Sequence, residues 1–115
     1  DGLASEAWEI AEASNVRMVI EEALIPIHES LRVFAAASGK SPLEYILYGG
    51  EDYQLVGTAP AHGSASLLRL LEAAGAAPTV IGTVREGDRG VELLHVDGTV
   101  EHIRKRGYNH FTSLD

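Results

Sequence analysis

The sequence predicts an α/β (α+β) domain in which a mixed β-sheet is covered by helices on one side. Two observations carry this: helix-spaced apolar residues alternate with β-branched runs along most of the chain, and turn-separated β runs cluster near its end. Residues 3–14 place Leu3, Ala7, Ile10 and Ala11 at helical spacing, with Glu6, Glu9 and Glu12 on another side, which predicts an amphipathic helix. Ser14-Asn15 closes it, and Val16-Arg17-Met18-Val19-Ile20 has the β-branched content of a strand. Pro26 suits a helix start, and Leu31, Phe34 and Ala35 give an apolar stripe up to Gly39. Ser41-Pro42-Leu43-Glu44 joins a capping Ser to Pro at the first helical position and Glu at the third, so a short third helix is expected, ending at Gly49-Gly50. Tyr53-Gln54-Leu55-Val56-Gly57-Thr58 reads as a strand, and residues 64–74, with Leu67, Leu68, Leu70 and Leu71, as a helix stopped by Gly75. Strands over 79–84 and 91–96 flank the turn chemistry of Glu86-Gly87-Asp88-Arg89-Gly90, and Asp97-Gly98 turns the chain once more. There is no internal repeat, low-complexity tract or linker.

With 115 residues and 45 % hydrophobic content, the chain is large enough to bury one ordinary core, so a single domain over 1–115 is expected. The formal charge of −8 repels a nucleic-acid backbone or an anionic membrane surface, so neither is an expected partner. Without cysteine there is no disulfide framework and no thiolate metal site, which fits a reducing compartment. No apolar run approaches the roughly 20 residues that span a bilayer, and the opening residues lack the basic start of a signal peptide. A cytoplasmic location is the expectation. A chain that opens on Asp-Gly without an initiator Met is also expected to be part of something longer.

Three segments carry candidate chemistry. Asp1-Gly2 heads the first helix, where Asp reads by itself as an ordinary N-cap and alternatively as an oxygen ligand for Mg²⁺. Gly49-Gly50-Glu51-Asp52-Tyr53 places two acids after a helix end. By pattern it is a glycine cap followed by solvated carboxylates, and alternatively a place where backbone and carboxylates approach a ligand. Gly107-Tyr108-Asn109-His110-Phe111 follows the basic run Arg104-Lys105-Arg106. Its rings suit either pinning the chain end to the core or stacking on a heteroaromatic ligand. The other histidines, His28, His62, His95 and His102, lack metal-ligand spacing. Phosphate-loop, dinucleotide and nucleophile-elbow motifs are absent from the sequence.

In order along the chain, Asp1-Gly2-Leu3-Ala4-Ser5-Glu6, Leu47-Tyr48-Gly49-Gly50-Glu51-Asp52-Tyr53-Gln54-Leu55 and Gly107-Tyr108-Asn109-His110-Phe111 resemble the C-terminal half of thiamine-monophosphate kinases. These belong to a superfamily with aminoimidazole ribonucleotide synthetase, selenophosphate synthetase and a hydrogenase maturation factor. The resemblance implies a two-domain enzyme whose N-terminal domain, absent here, carries the nucleotide contacts and most Mg²⁺-binding aspartates. It implies ATP and thiamine monophosphate as substrates, thiamine diphosphate as product, and a homodimer in the full-length form. The isolated domain is then expected to be inactive.

Carried over residue by residue, Asp1 matches the second acid of an Asp-x-Ser-Asp-Gly metal motif. Glu51 matches a contact to thiamine monophosphate, Tyr108 an aromatic position against the substrate, and Asp52 assists by position. Asn109 and Gln54 stand where Asp and Glu are usual in the family. The implied chemistry is direct transfer of the γ-phosphoryl group to an already ionised phosphate, so charge neutralisation carries it and no general base is assigned. The alternatives are another ATP-dependent enzyme of the superfamily, or a non-catalytic small-molecule-binding domain of the same fold.

Overall fold

The computed structural model describes residues 2–49 and 55–105. Four helices, α1 (Gly2–Ser14), α2 (Glu29–Ser38), α3 (Pro42–Tyr48) and α4 (Ser64–Ala73), accompany four strands, β1 (Arg17–Glu21), β2 (Gly82–Arg85), β3 (Gly90–Leu94) and β4 (Val100–Ile103). The sheet order is β2-β1-β3-β4. β1 runs antiparallel to β2 and parallel to β3, and β3 runs antiparallel to β4, so the sheet is mixed as expected.

The core forms where α1 lies on β1 and β3. Strand alternation sends Met18 and Ile20 of β1, Val91 and Leu93 of β3 and Ile103 of β4 to the same side, all buried. Against them α1 presents Ala4, Ala7 and Ala11, each nearly or wholly buried. Methyl side chains at this helical spacing let backbones approach closely, so α1 sits low on the sheet and leaves room for α3 to pack Leu43 and Leu47 alongside. α2 packs in turn on α3. The opposite sheet face carries a charged cluster: Arg17 pairs with Glu92, and His102 Nδ1 lies 3.7 Å from the same Glu92 oxygen.

Several boundaries differ from expectation for identifiable reasons. The expected strand 53–58 falls partly outside the described residues, and its described part, 55–58, forms no strand, with Leu55 wholly exposed. β-propensity acts only where a sheet edge receives the segment, and none does so here. α2 starts at Glu29, not Pro26. Ile25 is buried after the 3-10 turn Glu22–Leu24, and the chain runs extended from it to the N-cap, His28. Strand 79–84 shortens to Gly82–Arg85, the stretch in register with β1.

Helix ends follow their sequence signals more closely. The Ser41 hydroxyl accepts from the Leu43 N–H at 3.2 Å, with Pro42 behind it. Asp97-Gly98 closes the β3–β4 hairpin: the Gly98 N–H donates to His95 O, and the His95 N–H to Thr99 O. α4 matches its expected span yet buries none of its residues. Leu67, Leu70 and Leu71 remain 38–68 % exposed.

Candidate functional site

The first two sequence motifs meet at a contact that admits no side chain. Gly2 opens α1 with φ +85°. A Cβ built on it would stand 2.8 Å from the Gly49 carbonyl oxygen and closer still to that of Leu47. Gly49 is equally constrained, since a Cβ there would meet the Tyr45 carbonyl oxygen at 2.5 Å, while its own N–H donates to that oxygen at 2.7 Å. The positive end of the α1 dipole thereby meets the negative end of α3, a favourable pairing.

Of the residues singled out from sequence, Asp1, Glu51, Asp52 and Tyr108 lie outside the described residues, as does the whole segment 107–111. Gly2, next to Asp1, and Gly49, two residues before Glu51, are in contact. The approach to the third motif is anchored elsewhere on α1: the Trp8 indole N–H donates to Ile103 O at 2.8 Å, and the Lys105 ammonium donates to Glu12 at 2.8 Å. Glu12 lies ten residues along α1 from Gly2, or about 15 Å at the helical rise.

Beside the first turns of α1, Ser5, Glu6, Glu9, Ile10 and Val56 line an open cleft of about 230 Å³. Two carboxylates on its wall repel a bare phosphate, so any phosphate held nearby needs compensating positive charge. The sequence pattern puts Glu6 and Glu9 on a side of the helix away from its apolar stripe. It had no signal for Val56 opposite them, because that proximity is created by tertiary folding. Among the described residues no group of three or more His, Asp or Glu side chains is arranged to hold a metal ion. By itself Asp1, which lies outside the described residues, would be one hard oxygen donor where Mg²⁺ requires about six. No helix among the described residues is long and apolar enough to cross a membrane.

Comparison with known proteins agrees with this architecture. The family model described as AIR synthase related protein, C-terminal domain, matches residues 1–95. Thiamine-monophosphate kinase of Bacillus subtilis (strain 168) is 40 % identical over 111 residues, which cover 96 % of this chain and 33 % of that protein. The crystal structure of thiamine-monophosphate kinase from Stenotrophomonas maltophilia K279a superposes with a TM-score of 0.69 at 35 % identity, covering 85 % of this chain and 29 % of that one. A structure of AaThiL complexed with AMPPCP and TMP superposes with a TM-score of 0.63 at 36 % identity, covering 86 % and 28 %. The chain thus spans about a third of the length of the curated relatives it matches. With the family model covering residues 1–95 and the mixed sheet shared with these structures, the chain belongs to the AIR synthase related protein family, as its C-terminal domain.

Proposed function

We propose that this domain is the C-terminal part of a thiamine-monophosphate kinase, which transfers the γ-phosphoryl group of ATP to thiamine monophosphate and releases ADP and thiamine diphosphate. The observation that carries the reading is the contact of Gly2 with the carbonyls of Leu47 and Gly49. It brings Gly2, which follows Asp1, against Gly49, which precedes Gly50-Glu51-Asp52, and the resemblance assigns metal and substrate contacts to Asp1, Glu51 and Asp52. The relatives named thiamine-monophosphate kinase, and the AaThiL complex with AMPPCP and TMP, support the same reading.

In this proposal Glu51 and Tyr108 hold thiamine monophosphate, Asp52 assists, and the nucleotide is held by an N-terminal domain beyond this chain. Asp1 supplies one oxygen ligand to Mg²⁺, whose remaining ligands come from that other domain. When bound, the ion neutralises phosphate charge, which an acidic cleft cannot do. The chain's own part in this proposal is positional, resting on the tight contact of Gly2 with the carbonyls of Leu47 and Gly49. A homodimer in the cytoplasm completes the proposal.

The test measures ADP and thiamine diphosphate formation from ATP and thiamine monophosphate with Mg²⁺. It compares the whole protein, the same protein with Glu51→Ala, and residues 1–115 alone. Turnover by the whole protein, silence of the isolated domain, and a raised KM for thiamine monophosphate in Glu51→Ala are expected. A whole protein that makes no thiamine diphosphate would overturn the substrate assignment.

A further inference from the structure

The β3–β4 hairpin holds a histidine with a carboxylate against each ring nitrogen. His95 Nδ1 lies 3.0 Å from Glu22 Oε1, and His95 Nε2 lies 2.8 Å from Glu101 Oε1. The same Glu22 oxygen accepts from the Val96 N–H at 3.2 Å. The His95 and Glu22 side chains are each 27 % exposed, and that of Glu101 is 52 % exposed. A neutral imidazole has one N–H and can donate to one carboxylate only, leaving a lone pair facing the other; an imidazolium donates to both. The arrangement is therefore that of the charged ring.

Three segments meet at this proton. Glu22 begins the 3-10 turn after β1, His95 follows β3, and Glu101 lies on β4. The charged groups that act on the ring are Glu22, Glu101 and Asp97, all acidic. The hydrogen bond to Glu101 and then that to Glu22 hold the His95 pKa above its ordinary value, against a smaller opposing effect of desolvation. From Glu22 the chain continues to Ile25, which is 8 % exposed and part of the core, and then to the N-cap of α2.

We propose that Glu22, His95 and Glu101 form a proton-gated clasp, which holds the connection from β1 to α2 against the β3–β4 hairpin while the ring is charged and loosens when it becomes neutral. The neutral ring surrenders one of its two carboxylates. Glu22 is the one whose release frees a second bond, that of the Val96 N–H. Because the folded-state pKa is raised, the clasp's contribution is complete below the unfolded value of about 6.5 and is lost as pH rises through the folded value. Loosening occurs on the alkaline side.

The experiment follows the His95 ring nitrogens by NMR, with amide hydrogen exchange at Val96, between about pH 5.5 and 9 in the whole protein carrying these residues. The expected result is a ring protonated on both nitrogens at the acid end, with a midpoint above 6.5. Val96 protection, corrected for the intrinsic pH dependence of exchange, is expected to fall about tenfold across that midpoint while Leu93 in β3 keeps its protection. In His95→Gln, Val96 protection is low and independent of pH. Glu22→Gln, which leaves the ring and its Glu101 bond in place, lowers the His95 midpoint. A wild-type midpoint at or below 6.5, or Val96 protection that stays flat across the midpoint, would overturn the clasp. Both are read on the unmutated protein and need no variant to fold.

Discussion

The Trp8 indole N–H donates to the backbone carbonyl of Ile103 at 2.8 Å, joining the first helix to the last strand of the sheet. Ile103 is buried, so its carbonyl has little water to turn to if the donor is removed. Trp8→Phe keeps an aromatic ring and deletes the donor. It is expected to cost about 1–2 kcal/mol, seen as a fall of several degrees in Tm by calorimetry. An unchanged Tm would mean that this bond is replaced at no cost.

At Gly2 two penalties coincide: a positive φ that L-residues resist and carbonyl oxygens where a Cβ would stand. Gly39 at the end of α2 shares only the first, with φ +74° and nothing within 4 Å of a built Cβ. Gly39→Ala is expected to cost about 1 kcal/mol and leave kcat/KM of the whole protein for the proposed kinase reaction unchanged. Gly2→Ala must shift α1 against α3, and kcat/KM is expected to fall roughly ten- to a hundredfold. Equal activities in the two variants would remove Gly2 from any positioning role.

Asp97 in the hairpin turn accepts from the Thr99 hydroxyl at 2.7 Å and from the Thr99 N–H at 2.9 Å, and these bonds, the hydroxyl's foremost, hold its pKa below the usual carboxylate value. A depressed folded-state pKa contributes stability above the unfolded value of 3.8 and loses it as pH falls through the folded value. The Tm gap between wild type and Asp97→Ala is therefore expected to be full near neutral pH and to close as pH falls below 3.8. A gap that persists undiminished in acid would assign it to turn geometry alone.

Leucines of similar chemistry are expected to differ sharply by location. Leu47 is 4 % exposed between α1 and α3, whereas Leu70 on α4 is 68 % exposed. Leu47→Ala should cost about 2–5 kcal/mol, and Leu70→Ala within roughly 0.5 kcal/mol, by urea denaturation of the whole protein. A large cost at Leu70 would show that α4 is covered there by something outside these residues.

Much of the architecture was legible because its signals are local. Ser14-Asn15, Ser41-Pro42, Gly75 and Asp97-Gly98 act through neighbouring backbone, and the spans of α1, α3 and α4 and the β3–β4 turn follow them closely. What depends on distant partners was not legible. In sequence the stripe on α1 reads as Leu3, Ala7, Ile10 and Ala11, while the buried face is Ala4, Ala7 and Ala11, because the helix lies close on β1 and β3. Residues 55–58 have strand composition and no strand. At the candidate site the motifs Asp1-Gly2 and Gly49-Gly50 were readable, but their contact was not, and the ligand roles of Asp1, Glu51, Asp52 and Tyr108 rest on resemblance. His95 was passed over as a surface or strand residue, since its carboxylates arrive from residues 22 and 101, which no local spacing reveals.

The position of β1 in the sheet sets a timetable for synthesis. Both of its neighbours, β2 and β3, are encoded more than sixty residues downstream of it. At about 5–20 residues per second, a newly made β1 waits several seconds with both edges unpaired. Among the described residues, α1 and the following helices are the elements made early enough to shield Met18 and Ile20 during that interval. Slower elongation before β2 would prolong this exposure, making the window before the sheet closes the domain's most vulnerable period for aggregation.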